Sequence, residues 1–234
     1  MTKYIDRYYL NWEEYGIKFA WWGWQPWANT LVYMPFSWNY DDTQGNTVTQ
    51  SWTAGTYATT QQWEQYMVTA WWPSSNNTLL TISSLNWLTW NGNWTVSCWV
   101  NPTNNGNLKV IRGYGMNSST WWTWLILTWS NEIVIFVYAG DINTWITITP
   151  EVWNNIVFTH SSWTNKVYVN WSLVDTRSKN FTFYNSRLWM LADPNNWSNG
   201  MNGWFDEMII EDKEWTAQEI SDYYDQTKSL YGIS

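Results

Sequence analysis

The chain is poor in the residues that most chemistry needs. Only 13% of its 234 residues are charged, one is cysteine and one is histidine. That charged share is about half of what an average soluble domain carries. The single Cys98 excludes an intramolecular disulfide framework. The single His160 leaves almost no material for a histidine-based zinc cluster or a Ser-His-Asp triad. Positive charge is also scarce. Eleven Lys and Arg against 19 Asp and Glu give a net charge of -8, which argues against nucleic acid as a partner. No apolar run reaches the roughly 18 residues of a membrane-spanning helix. Lys3, Asp6 and Arg7 stand where a signal peptide would place its apolar stretch, so none is expected. Glycine is short as well, at 12 residues, whereas tryptophan reaches 26.

Short β-branched and aromatic runs are present in number, separated by Asn, Ser, Thr and Gly. They extend from Thr30 to Phe36 at one end to Trp204 to Ile210 at the other. Trp122 to Thr128, Trp145 to Thr149, Lys166 to Asn170 and Ser172 to Thr176 lie between. About thirteen such runs with turn residues between them predict an all-β protein of two stacked antiparallel sheets. One helix is expected. Thr216 and Glu219 form a capping box, in which each side chain reaches the other's backbone amide. Ile220, Tyr223 and Tyr224 then share one face, which should dock on the sandwich, and the helix should run to about Lys228. Residues 1–28 read as a separate hairpin or attachment segment with a linker, and 29–234 as the main domain.

Four stretches carry a likeness to a known family. They are Trp94 to Pro102, Trp153 to Thr159, Lys166 to Val174, and Asn202 to Met208 continued by Trp215 to Ile220. Thr30 to Phe36 and Asp41 to Asn46 match an opening strand and loop. Together they resemble the concanavalin-A-like jelly rolls of the laminin-G-like class, found in bacterial and phage surface proteins. Asn154 and Asn155 depart from the family's usual pair of histidines. The resemblance covers about residues 29–232 and implies a jelly-roll sandwich. It also implies calcium held by Asp41, Asp42 and Asp206.

The turns add an independent observation. Asn170-Trp171 and Ser162-Trp163 fall between adjacent strands, where a tight hairpin asks for φ > 0 at both central residues. Asn11-Trp12 also sits between two strand-like runs, and Ser37-Trp38 ends the first sandwich strand where the resemblance implies glycine. By contrast, Trp94, Trp99, Trp153 and Trp215 stand where a large apolar residue is expected. The expectation is that some tryptophans mark glycine positions, encoded by TGA in a source whose code reads it as glycine.

No catalysis is expected. The paired carboxylates that flank a glycosidic bond in the superfamily's glucanases, Glu-x-Asp-x-x-Glu, are missing from the sequence. Asp206-Glu207 belongs to the closing motif, and Cys98 reads as a small core residue. The leading expectation is a carbohydrate-binding or adhesion domain on a phage particle or bacterial surface. A sugar face stacks on indole, and Asn and Asp orient its hydroxyls. The candidate residues are Trp121, Trp122, Trp124, Asp141, Asn143 and Trp145. The expected partner is a glycan or cell-surface polysaccharide, with virion or surface proteins engaged through residues 1–28. Neither nucleic acid nor membrane insertion is expected. A purely structural virion or fibre component is the alternative, and a glycoside hydrolase ranks below it. Either of the first two would be extracellular or virion-associated.

Overall fold

A computed structural model describes residues 30–34, 48–51, 56–59, 65–68, 79–82, 92–103, 109–115, 122–128, 130–137, 142–178, 188–190 and 203–234. The expected N-terminal hairpin and linker lie outside these residues. In chain order the strands are β1 (Thr30–Met34), β2 (Val48–Ser51), β3 (Thr56–Thr59), β4 (Gln65–Val68), β5 (Leu79–Ile82) and β6 (Trp94–Pro102). They continue with β7 (Lys109–Gly115), β8 (Trp122–Leu127), β9 (Glu132–Val137), β10 (Ile142–Thr147) and β11 (Asn154–Ser161). The last are β12 (Thr164–Val169), β13 (Ser172–Ser178), β14 (Leu188–Met190) and β15 (Gly203–Glu211). Helix α1 (Ala217–Thr227) and a 3-10 turn (Lys228–Tyr231) follow.

Among the described residues these strands make two antiparallel sheets, a jelly-roll sandwich as the sequence predicts. One runs β13-β12-β11-β6-β15-β4-β3, with β1 also on β15; the other runs β10-β9-β8-β7-β14-β5-β2. Strand β15 is central. Its whole length pairs with β6, while β4 takes Trp204 and Phe205 and β1 takes Met208 to Glu211 on the opposite side. Strands β2, β3 and β4 are additional to the runs read from the sequence. They are short and rich in Thr and Gln, so the alternating apolar signal is weak.

Strand β6 is buried along nearly its whole length, and β11 likewise. A strand with only one covered face would alternate, so a third layer must cover the outer side. Helix α1 provides it. Trp99, Val157, Tyr168 and Ile209 pack with Trp215, Ile220, Tyr223, Tyr224 and Tyr231. Trp99 stacks on Tyr231 with ring centroids 4.1 Å apart, a contact worth about 0.5–1.5 kcal/mol beyond its burial. The expected capping box is present: Glu219 N donates to Thr216 Oγ1 (3.2 Å) and Thr216 N to Glu219 Oε2 (2.8 Å).

The opposite face of the same strands fills the sandwich interior. Trp94 packs edge-on to Phe158 and stacks on His160. His160 is fully buried, and its Nδ1–H donates to Asn165 Oδ1 at 2.8 Å. Burial lowers its pKa below 6.5, only partly opposed by the Asn165 hydrogen bond and the Glu214 carboxylate. The folded protein therefore resists a proton that the unfolded chain accepts. Stability from this site is complete above about pH 6.5 and falls as the pH drops below it. His160→Gln should flatten the dependence of melting temperature on pH between about 7 and 5. An unchanged slope would remove His160 as its source.

Candidate functional site

Two hairpin turns show what the backbone demands. The register pairs Ser161 with Thr164 and Val169 with Ser172, leaving two residues in each loop. Ser162 and Trp163 have φ of 47° and 75°, and Asn170 and Trp171 have 48° and 67°. Both are the left-handed pairs that a type I′ turn requires. The indoles of Trp163 and Trp171 are more than half exposed. The tryptophans expected in the core behave otherwise: Trp94, Trp99 and Trp215 are fully buried, and Trp153 packs on Tyr231. Trp12 and Trp38 lie outside the described residues.

A different tryptophan stands on a built feature. On β10 the pairing with β9 passes from Asn143–Val134 to Thr147–Glu132, so residues 144–146 bulge opposite Ile133. Thr144 is buried at the base, where its hydroxyl donates to Ile133 O at 2.7 Å and accepts from Ile146 N. Glu132 Oε1 accepts from Trp145 N at 3.0 Å. Trp145 forms the apex, with φ of 60° and 74% of its surface exposed. A non-glycine residue held in this region is strained, and such strain gathers at functional sites. The bulge also breaks the alternating pattern, so the strand expected from Trp145 begins instead at Ile142.

The neighbouring strand is on the other sheet. Strands β10 and β13 are the end strands of the two sheets, and Arg177 joins them across the gap. Its Nη2 donates to Asn143 O at 3.4 Å and its Nε to Asp175 Oδ1 at 2.9 Å. The Arg177 side chain is 45% exposed, whereas Asp175 is almost buried. The open edge of the sandwich thus brings together Asn143, Trp145, Asp175 and Arg177. Sequence reasoning found the first two and missed the others, because nothing local announces that β13 meets β10.

The remaining candidates fall elsewhere. Trp122 and Trp124 lie on β8, two strands in from β10. That separation is about 10 Å at the usual strand spacing. Trp121 and Asp141 lie outside the described residues, as do Asp41 and Asp42. Asp206 is fully buried beneath α1. Its Oδ1 accepts from Glu207 N at 2.8 Å and its Oδ2 from the Tyr231 hydroxyl at 3.2 Å. It fits a tie between β15 and the C-terminal layer better than a ligand for a solvent-facing cation. Glu207 sits at φ 50° where the β15–β6 register shifts, and Glu211 accepts from Trp215 Nε1 at 2.6 Å. All three carboxylates are enclosed. Among the described residues no group of three or more His, Cys, Asp or Glu is placed to hold a metal ion.

A family profile described as the concanavalin A-like lectin/glucanases superfamily matches residues 73–221, more than half of the chain. The chain belongs to this superfamily. Among solved structures, domain 4 of AbnA, an extracellular GH43 arabinanase from Geobacillus stearothermophilus in complex with arabinotriose, is similar. It shares 18% identity with a TM-score of 0.69 over 84% of this chain and 98% of that one. The binding domain of botulinum neurotoxin DC in complex with SialylT has a TM-score of 0.63 at 15% identity, over 84% of this chain. The same toxin domain in complex with rat synaptotagmin II gives 0.63 at 16%. This superfamily member spans about half of those toxin chains. At these identities the likeness is one of fold. A sequence search of curated proteins returned no match.

Proposed function

We propose that the chain is a non-catalytic carbohydrate-binding or adhesion domain. The observation that carries this reading is Trp145, an exposed indole fixed on a hydrogen-bonded bulge beside polar side chains. Such a platform is what the apolar face of a sugar stacks on. Support comes from domain 4 of AbnA, a protein of the same fold whose structure is a complex with arabinotriose. Against catalysis, Asp206, Glu207 and Glu211 are fully buried. A carboxyl pair must flank an accessible bond to hydrolyse it. A glycan array tests the reading. Binding of the intact chain to a defined oligosaccharide class supports it, and a blank array with folded protein overturns it.

The proposed setting is extracellular or virion-associated, with residues 1–28 attaching the domain to other surface or particle proteins. A purely structural role predicts presence in purified particles without glycan binding. Calcium is proposed at the Asp41–Asn46 loop, where hard oxygen ligands cluster in the sequence. Asp206 is left out of that set. A melting temperature that rises with calcium after chelation supports the ion, and an unmoved one removes it.

We propose also that Trp163 and Trp171 stand for glycine, encoded by TGA in a source that reads this codon as glycine. The left-handed pairs at both turns support this, because the second central position of a type I′ turn takes glycine with least strain. Trp145, at φ 60° on a bulge rather than in a two-residue turn, is held apart from this proposal, and the sugar platform requires a TGG codon there. TGG codons at these positions in the source DNA would overturn it.

A further inference from the structure

We infer that the open sandwich edge formed by Asn143, Trp145, Asp175 and Arg177 is the sugar subsite, and that it selects neutral glycans over acidic ones. This rests on the carbohydrate-binding reading and goes beyond it in assigning Asp175, Arg177 and the ligand's charge class. The guanidinium is the anchor. Asp175 holds Nε and the Asn143 carbonyl holds Nη2, so the planar group is fixed across the gap between sheets. Nη1 makes no hydrogen bond among the described residues, and the side chain is partly open to solvent. An oriented guanidinium with spare N–H groups donates to adjacent hydroxyl oxygens, and fixing it beforehand lowers the ordering cost of binding. The exposed Asn143 side chain on the same strand offers a further donor and acceptor.

The charge balance sets the class. Arg177 is already offset by Asp175, 2.9 Å away. Asp175 Oδ2 is buried and has no hydrogen-bond donor among the described residues. Glu132 lies at the base of the Trp145 bulge. Among the described residues the edge therefore carries one cation against two carboxylates, in a chain whose net charge is -8. A uronate or sialate carboxylate would bring a third anion to the edge, at a cost in affinity. A neutral sugar brings hydroxyl donors to Asp175 and an apolar ring face to Trp145.

The test is calorimetric titration of the intact chain with arabinotriose, maltotriose and trigalacturonate at low and high salt. A neutral trisaccharide should bind with little salt dependence, and trigalacturonate should bind at least about tenfold more weakly. Arg177→Gln should weaken the neutral sugar about tenfold. Asn143→Ala, at an exposed position that risks no core contact, should weaken it by a smaller factor. Trp145→Gly should weaken it as well while relieving the backbone. If a neutral sugar binds and none of the three variants changes its affinity, this site is overturned and the carbohydrate reading survives. Tighter binding of trigalacturonate overturns the charge class. Absence of binding to every sugar, here and on the array, overturns both.

Discussion

Replacing both Trp163 and Trp171 with glycine raises the melting temperature by about 4 °C. The estimate has two opposing parts. A non-glycine residue in the left-handed region costs about 1–2 kcal/mol. Glycine returns about 0.5–1 kcal/mol of this through the greater freedom of its unfolded chain. The net gain is then about 0.5–1 kcal/mol per turn. A domain of this size gains about 2–4 °C per kcal/mol. Both indoles are more than half exposed at the tips of hairpins, so little packing is lost when they are removed. The control is the pair of alanine variants, which keep a Cβ at positive φ and should gain nothing. Thermal melts followed by circular dichroism separate the two outcomes. A glycine pair no more stable than the alanine pair would show that the turns relax around tryptophan without strain.

Gly203→Ala acts in the opposite direction and more strongly. Gly203 opens β15 opposite Pro102, with φ of 127°. A Cβ built there would lie 2.1 Å from Asn101 O and 2.8 Å from Pro102 Cα, both backbone atoms. Neither can swing aside as a side-chain tip could, so β15 must separate from β6 at that point. Positive φ and overpacking each cost about 1–3 kcal/mol. A loss of about 3 kcal/mol or more is expected in denaturant titrations monitored by intrinsic fluorescence. A loss below about 1 kcal/mol would mean that the β15 start shifts without consequence. Gly203 and the two tryptophan turns thus test one rule from both sides: backbone at positive φ favours glycine, most strongly where another backbone segment also approaches closely.

Local patterns were legible in the sequence. The Thr216–Glu219 capping box spans four residues and needs no partner elsewhere, so it was found with its helix. Asn170-Trp171 and Ser162-Trp163 were readable as hairpin turns because loop length and flanking strands fix their geometry. The two-sheet architecture followed from many such units in sequence. What escaped were pairings set by distance along the chain. Arg177 contacts Asn143 across 34 positions, and its role depends on two sheets meeting at their ends. Asp206 carried a motif that suggested a metal. Its burial beneath α1 and its bond to Tyr231, 25 positions later, could not be read from the motif itself. The sequence marks Trp145 as a candidate sugar platform, but the bulge that raises it depends on Glu132 and Thr144 together.

The central position of β15 has a consequence for how the chain assembles. Its neighbours β1, β4 and β6 all precede it, and Thr95 meets Lys213 from 118 positions away. Until β15 docks, β6 and the β3–β4 hairpin each offer an unpaired edge, and β1 lacks its partner among the described residues. Bringing such distant segments together carries a large loop-closure cost, which slows folding. An emerging chain must hold its first strands as separate, sticky fragments during that delay, when edge-to-edge aggregation is most probable. Synthesis speed and chaperone capture in the interval before β15 emerges therefore bear on yield independently of the stability of the finished sandwich.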